Sequence, residues 1–396
     1  MRDRDEGAIA MRIVQLHWAA LPTTGGVETH VEALVEGLRA AGDEVTFLSG
    51  TPDARTATYH PALRPPAAGP APDDPAGDLA DDVADDLADA VSGHDLLHVH
   101  NPQWHRPEVI DGLLARLRVR GWPGGYVFTV HNLAGDGPYQ DGLRRWSRQP
   151  GGRLVAHSRF VVEVLAGLVG GARADVLPLA LPPDAGGTQA WASPGGSVVL
   201  QPTRLTTWKG SDLSLAAAAG LLEAGRDLVF VHAGTEHLLW EPGLDAGLLT
   251  RIRPWRDRGA IRFEHFPPER SWAAIRGADL VVHPTTGTGP RGEPYSMSVA
   301  QAVLCRRPVV VSRSGNLPDL VRGYPLARLV EPGDPDALRA AVDGFLTGAW
   351  PEPGDPPRPD VVARLRDWHG TAVPRHQALY REVIETARSA GGRRAG

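Results

Sequence analysis

Short apolar runs alternate with amphipathic stretches along the whole chain. In the first half the apolar runs fall at 12–17, 44–49, 96–100, 126–131, 153–157 and 175–178. Stretches of helical period lie between them, at 28–41, 78–91, 107–120, 140–148 and 158–168. Strand followed by helix, repeated, predicts a parallel sheet covered on both faces. A Pro- and Gly-rich stretch at 182–196 reads as an interdomain linker, and after it the pattern restarts. Strands are expected at 197–201, 228–233, 261–266, 280–283, 308–312 and 327–329, and helices at 211–223, 271–275, 297–304, 317–321 and 335–346. The Pro-rich stretch 61–75 reads as a loop, and another at 351–359 precedes a last helix near 361–388. The expected architecture is α/β, with two doubly wound Rossmann-like domains facing across a cleft. The first domain covers 1–181, the linker 182–196 and the second domain 197–360; the terminal helix, 361–396, can cross back to the first domain.

Composition narrows the class. A length of 396 residues suits two domains. Cys305 is the only cysteine, which rules out a disulfide framework and a thiolate metal cluster and suits a reducing cytoplasm. The first ten residues are polar and charged, and no apolar run reaches membrane-spanning length. Lys209 is the only lysine. Residues 1–180 carry 16 arginines against 24 acidic residues, a net −8; residues 181–396 carry 25 cations against 23, a net +2. An acidic first half argues against nucleic acid and an anionic bilayer as partners, and makes the second half the better place for an anionic ligand. The stretch 78–91 is acidic, but Leu79, Val83, Leu87 and Val91 recur on one face, so its aspartates read as a solvated surface. Arg144, Arg145, Trp146 and Arg148 form the one membrane-like cluster, which a helix surface explains as well.

Ligands of open parallel sheets bind beyond the carboxyl ends of the strands, so the residues that follow strands matter most. Gly25-Gly26-Val27-Glu28 follows the first strand. Paired glycines let backbone N–H groups approach a phosphate or sugar oxygen at a helix start, although a plain turn explains them equally. His100 and His131 end neighbouring strands, where a histidine can donate to a substrate hydroxyl. A lone histidine is more often structural; two at equivalent positions tilt the reading towards function. Arg204 and Lys209 stand five apart, with Gly210 and a helix start next. Two such cations can offset the charge of a departing nucleoside diphosphate without a metal. Glu293 opens a loop that runs straight into a helix, so its carboxylate can accept from sugar hydroxyls while the backbone N–H groups of Tyr295, Ser296 and Met297 point at phosphate. Gln301 follows eight positions on, two turns along the same face. Asp334-Pro335-Asp336 sits where a helix cap is expected, and capping outweighs metal binding there.

Together these segments resemble the family-four retaining glycosyltransferases of the GT-B class, in the glycogen-synthase-like superfamily. The resemblance covers nearly the whole chain. Gly25-Gly26-Val27-Glu28 is similar to the family's N-terminal glycine loop, and Thr129-Val130-His131 to the stretch with its donor-contacting histidine. Arg204 and Lys209 match its diphosphate-binding pair, and Glu293 the first glutamate of its Glu-x7-Glu motif. Gly333-Asp334-Pro335-Asp336-Ala337-Leu338 is similar to its late loop and helix start. Two departures stand out: Gln301 replaces the second glutamate, and Tyr295-Ser296 replaces Phe-Gly. Both bear on the donor rather than the fold.

The resemblance implies sugar transfer from a nucleotide diphosphate sugar with retention at the anomeric carbon, no essential metal and no cofactor beyond the donor itself. His131, Arg204, Lys209 and Glu293 are the expected catalytic residues. Gly25, Gly26, Tyr295, Ser296, Met297 and Gln301 are expected to hold the nucleotide sugar, with Glu28 and His100 on the acceptor side. The acidic first half suits a small soluble acceptor, neutral or cationic, such as an aminocyclitol or another natural-product intermediate, and UDP is the expected nucleotide. Two other readings remain: a non-catalytic sugar-nucleotide-binding scaffold, motivated by Gln301, and an epimerase or phosphorylase on the same architecture. No sequence feature specifies an oligomeric state.

Overall fold

The alternating runs fold as two parallel sheets in the computed structural model of the protein, which describes residues 9–22, 25–63, 79–102, 107–131, 137–149, 151–170, 173–191, 196–233, 244–350 and 360–392. The first unit comprises Met1–Leu181 with Gly370–Gly396, the second Pro182–His369.

In the first unit the elements run β1 (Arg12–His17), α1 (Gly26–Ala40), β2 (Glu44–Ser49), β3 (Thr58–Tyr59), α2 (Leu79–Ser92), β4 (Leu96–His100), α3 (Pro107–Val119), β5 (Gly125–Thr129), α4 (Gly137–Trp146), β6 (Gly152–Ala156), α5 (Arg159–Leu168) and β7 (Ala174–Val176). The sheet order is β3-β2-β1-β4-β5-β6-β7, all parallel. Because side chains alternate across a strand, each central strand feeds two different layers. Val14, Leu16, Leu97, Val99 and Phe128 enter one apolar cluster, with Leu113 of α3 and Trp146 of α4. Ile13, Leu96 and Val127 enter the other, with Val31, Leu34 and Leu38 of α1. On that second face the positions nearer the carboxyl ends are polar and fully buried: Gln15, His17, His98, His100 and Thr129. Buried polar groups need partners, and this layer supplies them to one another.

The second unit runs β8 (Ser197–Gln201), α6 (Ser211–Glu223), β9 (Leu228–His232), α7 (Ala246–Asp257), β10 (Ile261–Phe263), α8 (Ser271–Gly277), β11 (Leu280–His283), α9 (Met297–Leu304), β12 (Val309–Ser312), α10 (Leu317–Leu320), β13 (Ala327–Val330), α11 (Pro335–Leu346) and α12 (Val361–Gly370). Its parallel order is β10-β9-β8-β11-β12-β13. The stretch expected as a linker lies in this unit. Its 182–191 part is strapped to α8: the Trp272 indole donates to the Pro182 carbonyl (2.9 Å), and Arg276 grips Asp184 with two bonds (2.7 and 2.8 Å).

Several expectations are corrected. The single last helix is two, α12 and α13 (Ala372–Gly392), and α13 belongs to the first unit, burying Leu379, Tyr380, Val383 and Ile384 in the layer under α1. Pro374 falls in the first turn of α13, where its missing N–H leaves no bond unmade. The unexpected α7 is capped by Asp245, whose side chain accepts from Leu248 N–H (3.0 Å). β5 stops at Thr129, which leaves His131 beyond the strand end. Pro61–Leu63 forms one 3-10 turn, while 64–78 and the side chains of Leu79 and Val83 lie outside the described residues; Leu87 and Val91 are buried as expected. The arginine cluster is a helix surface: Trp146 is fully buried and donates to Asp111 (2.8 Å), which also pairs with Arg145 (2.6 Å). No helix among the described residues is long and apolar enough to cross a membrane.

Candidate active site

The order of the second sheet reverses between β8 and β11. The loops that leave those two strands therefore part, and a ligand site forms at their carboxyl ends. The loop after β8 carries Arg204 to Gly210; the loop after β11 carries Thr285 to Ser296. Thr286 N–H donates to the Trp208 carbonyl (2.9 Å), and the Gln201 amide at the end of β8 donates to the Lys209 carbonyl (3.0 Å). Only glycine fits at 210. Its φ is +70°, and a Cβ there would stand 2.2 Å from the Pro284 carbonyl oxygen.

This approach brings Lys209 to Glu293. The Lys209 ammonium donates to Glu293 Oε2 at 2.6 Å, and the same oxygen accepts from Thr285 Oγ1 (3.1 Å) and His283 Nε2 (3.2 Å). Burial opposes charge on Glu293, but the Lys209 ammonium and His283 outweigh it and hold the carboxyl at about 2. Burial pushes His283 down, so it donates from Nε2 as a neutral ring, and its Nδ1 accepts from the Ser296 hydroxyl (3.4 Å). Among the described residues nothing donates to Glu293 Oε1. The Glu293 backbone is fixed from the loop after β12: its N–H donates to Ser314 Oγ (3.0 Å), and its carbonyl accepts from Asn316 N–H (2.8 Å).

The remaining expected residues of this unit differ in state. Arg204 is exposed, and no carboxylate pairs with it among the described residues, so it and Lys209 are not the equivalent free cations that their spacing suggests. Ser296 caps α9, accepting from Val299 N–H (3.2 Å). The first-turn N–H groups, that of Met297 among them, have no acceptor within the helix and suit phosphate oxygens. The Tyr295 side chain turns to α12, where its hydroxyl lies 2.9 Å from His369 Nε2, so only its backbone can serve a phosphate. Gln301 is buried and donates its amide to Ser271 Oγ (2.9 Å), which leaves its carbonyl oxygen as the one acceptor for a ribose hydroxyl. Asp334 caps α11 through Ala337 N–H (2.9 Å).

In the first unit the order reverses between β1 and β4. His131 is half-buried beyond β5, and its N–H donates to the Asn101 side chain (2.9 Å). Asn101 holds a left-handed φ of 47°, which asparagine tolerates better than most residues. His100 is fully buried and bonded to Gln15 (2.7 Å) and His131 (3.0 Å). It cannot touch an acceptor directly; its place is behind His131. Gly25 is the extended N-cap of α1, and a Cβ there would lie 2.2 Å from Glu28 Oε2. The Glu28 carboxylate thus covers its own helix start, where it also lies 3.3 Å from His17 Nε2. A carboxylate in that place repels phosphate and favours hydroxyl or cationic groups, so of the phosphate and sugar oxygens expected at Gly25 and Gly26 the chemistry favours the sugar oxygen.

Facing nitrogens of His30, His131 and His157 lie within 4.8 Å of one another, the spacing of a metal site. Proton placement does not fit one. Ala180 N–H donates to His30 Nδ1 (2.9 Å), so neutral His30 carries its own proton on Nε2 and has no lone pair for a metal. Sequence reasoning missed His283, Thr285, Gln15 and Tyr380. Only His283 carried a signal, being a strand-end histidine like His131.

Known proteins bear on this geometry. Residues 24–184 match the Glycosyltransferase Family 4 domain, and residues 196–347 match the Glycosyl transferases group 1 domain. The chain thus joins a family-four glycosyltransferase domain to a group-one glycosyltransferase domain, and its two-sheet fold is the GT-B fold. It is 28% identical over 196 residues to a glycogen synthase of Bordetella bronchiseptica, covering 46% of this chain and 36% of that one. It is 30% identical over 208 residues to D-inositol 3-phosphate glycosyltransferase 1 of Catenulispora acidiphila, covering 48% and 45%. The matched stretches thus span less than half of either relative. In fold it is similar to Anabaena Alr3699/HepE in complex with UDP and glucose, with a TM-score of 0.64 at 16% identity, over 95% of this chain and 99% of that one.

Proposed function

We propose that the protein transfers a sugar from a UDP-sugar to a small soluble acceptor, with retention at the anomeric carbon and without an essential metal. One observation carries the reading. Glu293 is a buried carboxylate with one oxygen saturated by Lys209, His283 and Thr285 and the other open. Such a group accepts from a sugar hydroxyl in a fixed direction. The start of α9 is beside it in sequence and takes the diphosphate, while Arg204 and Lys209 offset the charge of the leaving UDP. Gln301, with one free acceptor, holds the ribose. Glu28 at the start of α1 suits an acceptor bearing hydroxyl or amino groups, in keeping with an aminocyclitol or a related natural-product intermediate. The resemblance to solved UDP complexes supports the nucleotide.

The test incubates purified protein with a set of UDP-sugars and neutral or amine-bearing acceptors, with and without chelator. Mass spectrometry follows the product and NMR its anomeric configuration. The reading expects UDP release tied to a glycosylated product that keeps the donor's configuration, unchanged by chelation. UDP-sugar binding with neither release nor product would favour the scaffold instead.

A further inference from the structure

A file of hydrogen bonds runs through the buried polar layer of the first unit and ends at His131. His131 Nε2 lies 3.0 Å from His100 Nδ1, and His100 Nε2 lies 2.7 Å from Gln15 Oε1. The Gln15 amide nitrogen donates to the Tyr380 hydroxyl (3.1 Å), which lies 2.6 Å from His98 Nδ1. His98 Nε2 closes the file on Thr129 Oγ1 at 2.6 Å. Gln15, His98, His100, Thr129 and Tyr380 are all fully buried.

The direction of this file follows from the orientation of the Gln15 amide, whose oxygen faces His100 and whose nitrogen faces Tyr380. An amide oxygen only accepts and an amide nitrogen only donates. In this orientation His100 carries its proton on Nε2. Its Nδ1 is then bare and accepts from His131 Nε2–H. His131 in turn has a bare Nδ1, and among the described residues no hydrogen bond uses that atom. Burial keeps His98 and His100 neutral, so each ring carries a single proton.

We propose that Gln15 is a positioning residue that acts through His100 to fix the Nε2–H tautomer of His131, so that His131 meets its ligand only as a hydrogen-bond acceptor. The group it takes is then an O–H or N–H, and a carboxylate or phosphate oxygen at that place is disfavoured. This reverses the donor role expected from sequence. It rests on the proposed transfer reading only for the identity of the ligand; the tautomer is a property of the free protein.

The test is nitrogen-15 NMR of histidine-labelled free protein, with His131→Gln used to assign the signals. Wild type is expected to show His131 with a bare Nδ1 and a protonated Nε2. Gln15→Leu removes the acceptor for His100, and Tyr380→Phe frees the Gln15 amide to turn over. Each should give a mixture of tautomers. With transfer established, kcat/KM should fall at least about tenfold in Gln15→Leu, since a misplaced imidazole proton disables a reacting histidine, while UDP affinity stays unchanged. Donors and then acceptors lacking one hydroxyl at a time identify the source of the group: the substrate without it shows no further loss in Gln15→Leu. A protonated Nδ1 in wild type, or a single unchanged tautomer in both variants, overturns the proposal. If Gln15→Leu does not fold, wild type and Tyr380→Phe decide. Absence of transfer with the expected tautomers would count against the proposed function and not against the tautomer assignment.

Discussion

The Lys209 ammonium and the Glu293 carboxylate, 84 positions apart in sequence, meet at 2.6 Å within the second unit. A buried pair of this kind adds little net stability, because desolvation offsets most of the attraction. What it supplies is placement: the chain's one lysine is fixed beside a carboxylate whose second oxygen is open.

Removing one partner is a different matter from lacking the pair. Lys209→Ala leaves Glu293, whose side chain is 3% exposed, with only His283 and Thr285. The expected loss is about 3–5 kcal/mol of stability. Adding Glu293→Gln to that variant should recover most of it, because the uncompensated charge is gone. Turnover in Lys209→Ala should fall on the order of a hundredfold or more, and the second substitution should not restore it. Thermal melts and turnover at saturating donor check both halves. A folded Lys209→Ala protein with near wild-type turnover would take Lys209 out of the mechanism.

The glycine that permits the pair is testable against a control. Gly210→Ala meets both a left-handed φ of +70° and the Pro284 carbonyl 2.2 Å from the new Cβ. Gly225→Ala meets a φ of +78° with nothing within 4 Å. The second should cost about 1–2 kcal/mol, the usual left-handed penalty. The first should cost clearly more and depress activity as well, because the loop that carries Lys209 must shift. Equal losses in urea unfolding would mean that the close approach at 210 is unimportant.

Acid should destabilise the fold in two stages. His30, His98 and His100 are fully buried, and burial, with neighbouring rings adding to it, pushes each well below the ordinary histidine range. As pH falls through about 6.5 the unfolded chain takes up protons that the folded protein does not. Stability is therefore full above that pH and declines below it, by up to about 1.4 kcal/mol per pH unit for each such histidine. Glu293, held at about 2 against an ordinary 4.5, adds a second decline as pH falls below 4.5. Urea midpoints should be flat from pH 8 to about 7 and drop steeply towards 5. A midpoint unchanged down to pH 5 would mean that the cluster accepts protons while folded.

Gln301 gives a prediction about the nucleotide. Its amide is engaged with Ser271 and its carbonyl oxygen is the single free acceptor. Gln301→Glu offers a charged acceptor to both ribose hydroxyls and should tighten UDP by about 1 kcal/mol, while giving no gain with TDP, whose ribose lacks the 2′-hydroxyl. Calorimetric titration of both nucleotides into both proteins reads this directly. If TDP binds wild type at least as tightly as UDP, the donor carries a deoxyribose.

Where one element's pattern was enough, the sequence was readable. The strand β1 came out at Arg12–His17 with no adjustment, because charged Arg12 and polar His17 bracket its short Ile-Val-Gln-Leu run. Helix α7 was hidden by Pro254, although the Asp245 cap was a usable signal. The break before α13 was marked by Gly370 and Pro374, yet a continuous helical period masked it. The site was legible as separate residues but not as contacts. Lys209 and Glu293 each stood out, while their pairing depends on loops from two strands that only the sheet order brings together. Gln15 and Tyr380 carried no signal at all: one polar residue inside a strand and one aromatic on a terminal helix become partners only across 365 positions.

The most direct test of the second-unit site is calorimetric titration of UDP into wild type and into the Lys209→Ala, Glu293→Gln double variant, which keeps the local charge balance while removing the fixed cation. Wild type should show saturable one-site binding and the variant at least about tenfold weaker binding, the loss expected for one charge-assisted contact. Equal affinity in both proteins, or no detectable binding of UDP to wild type, would contradict this.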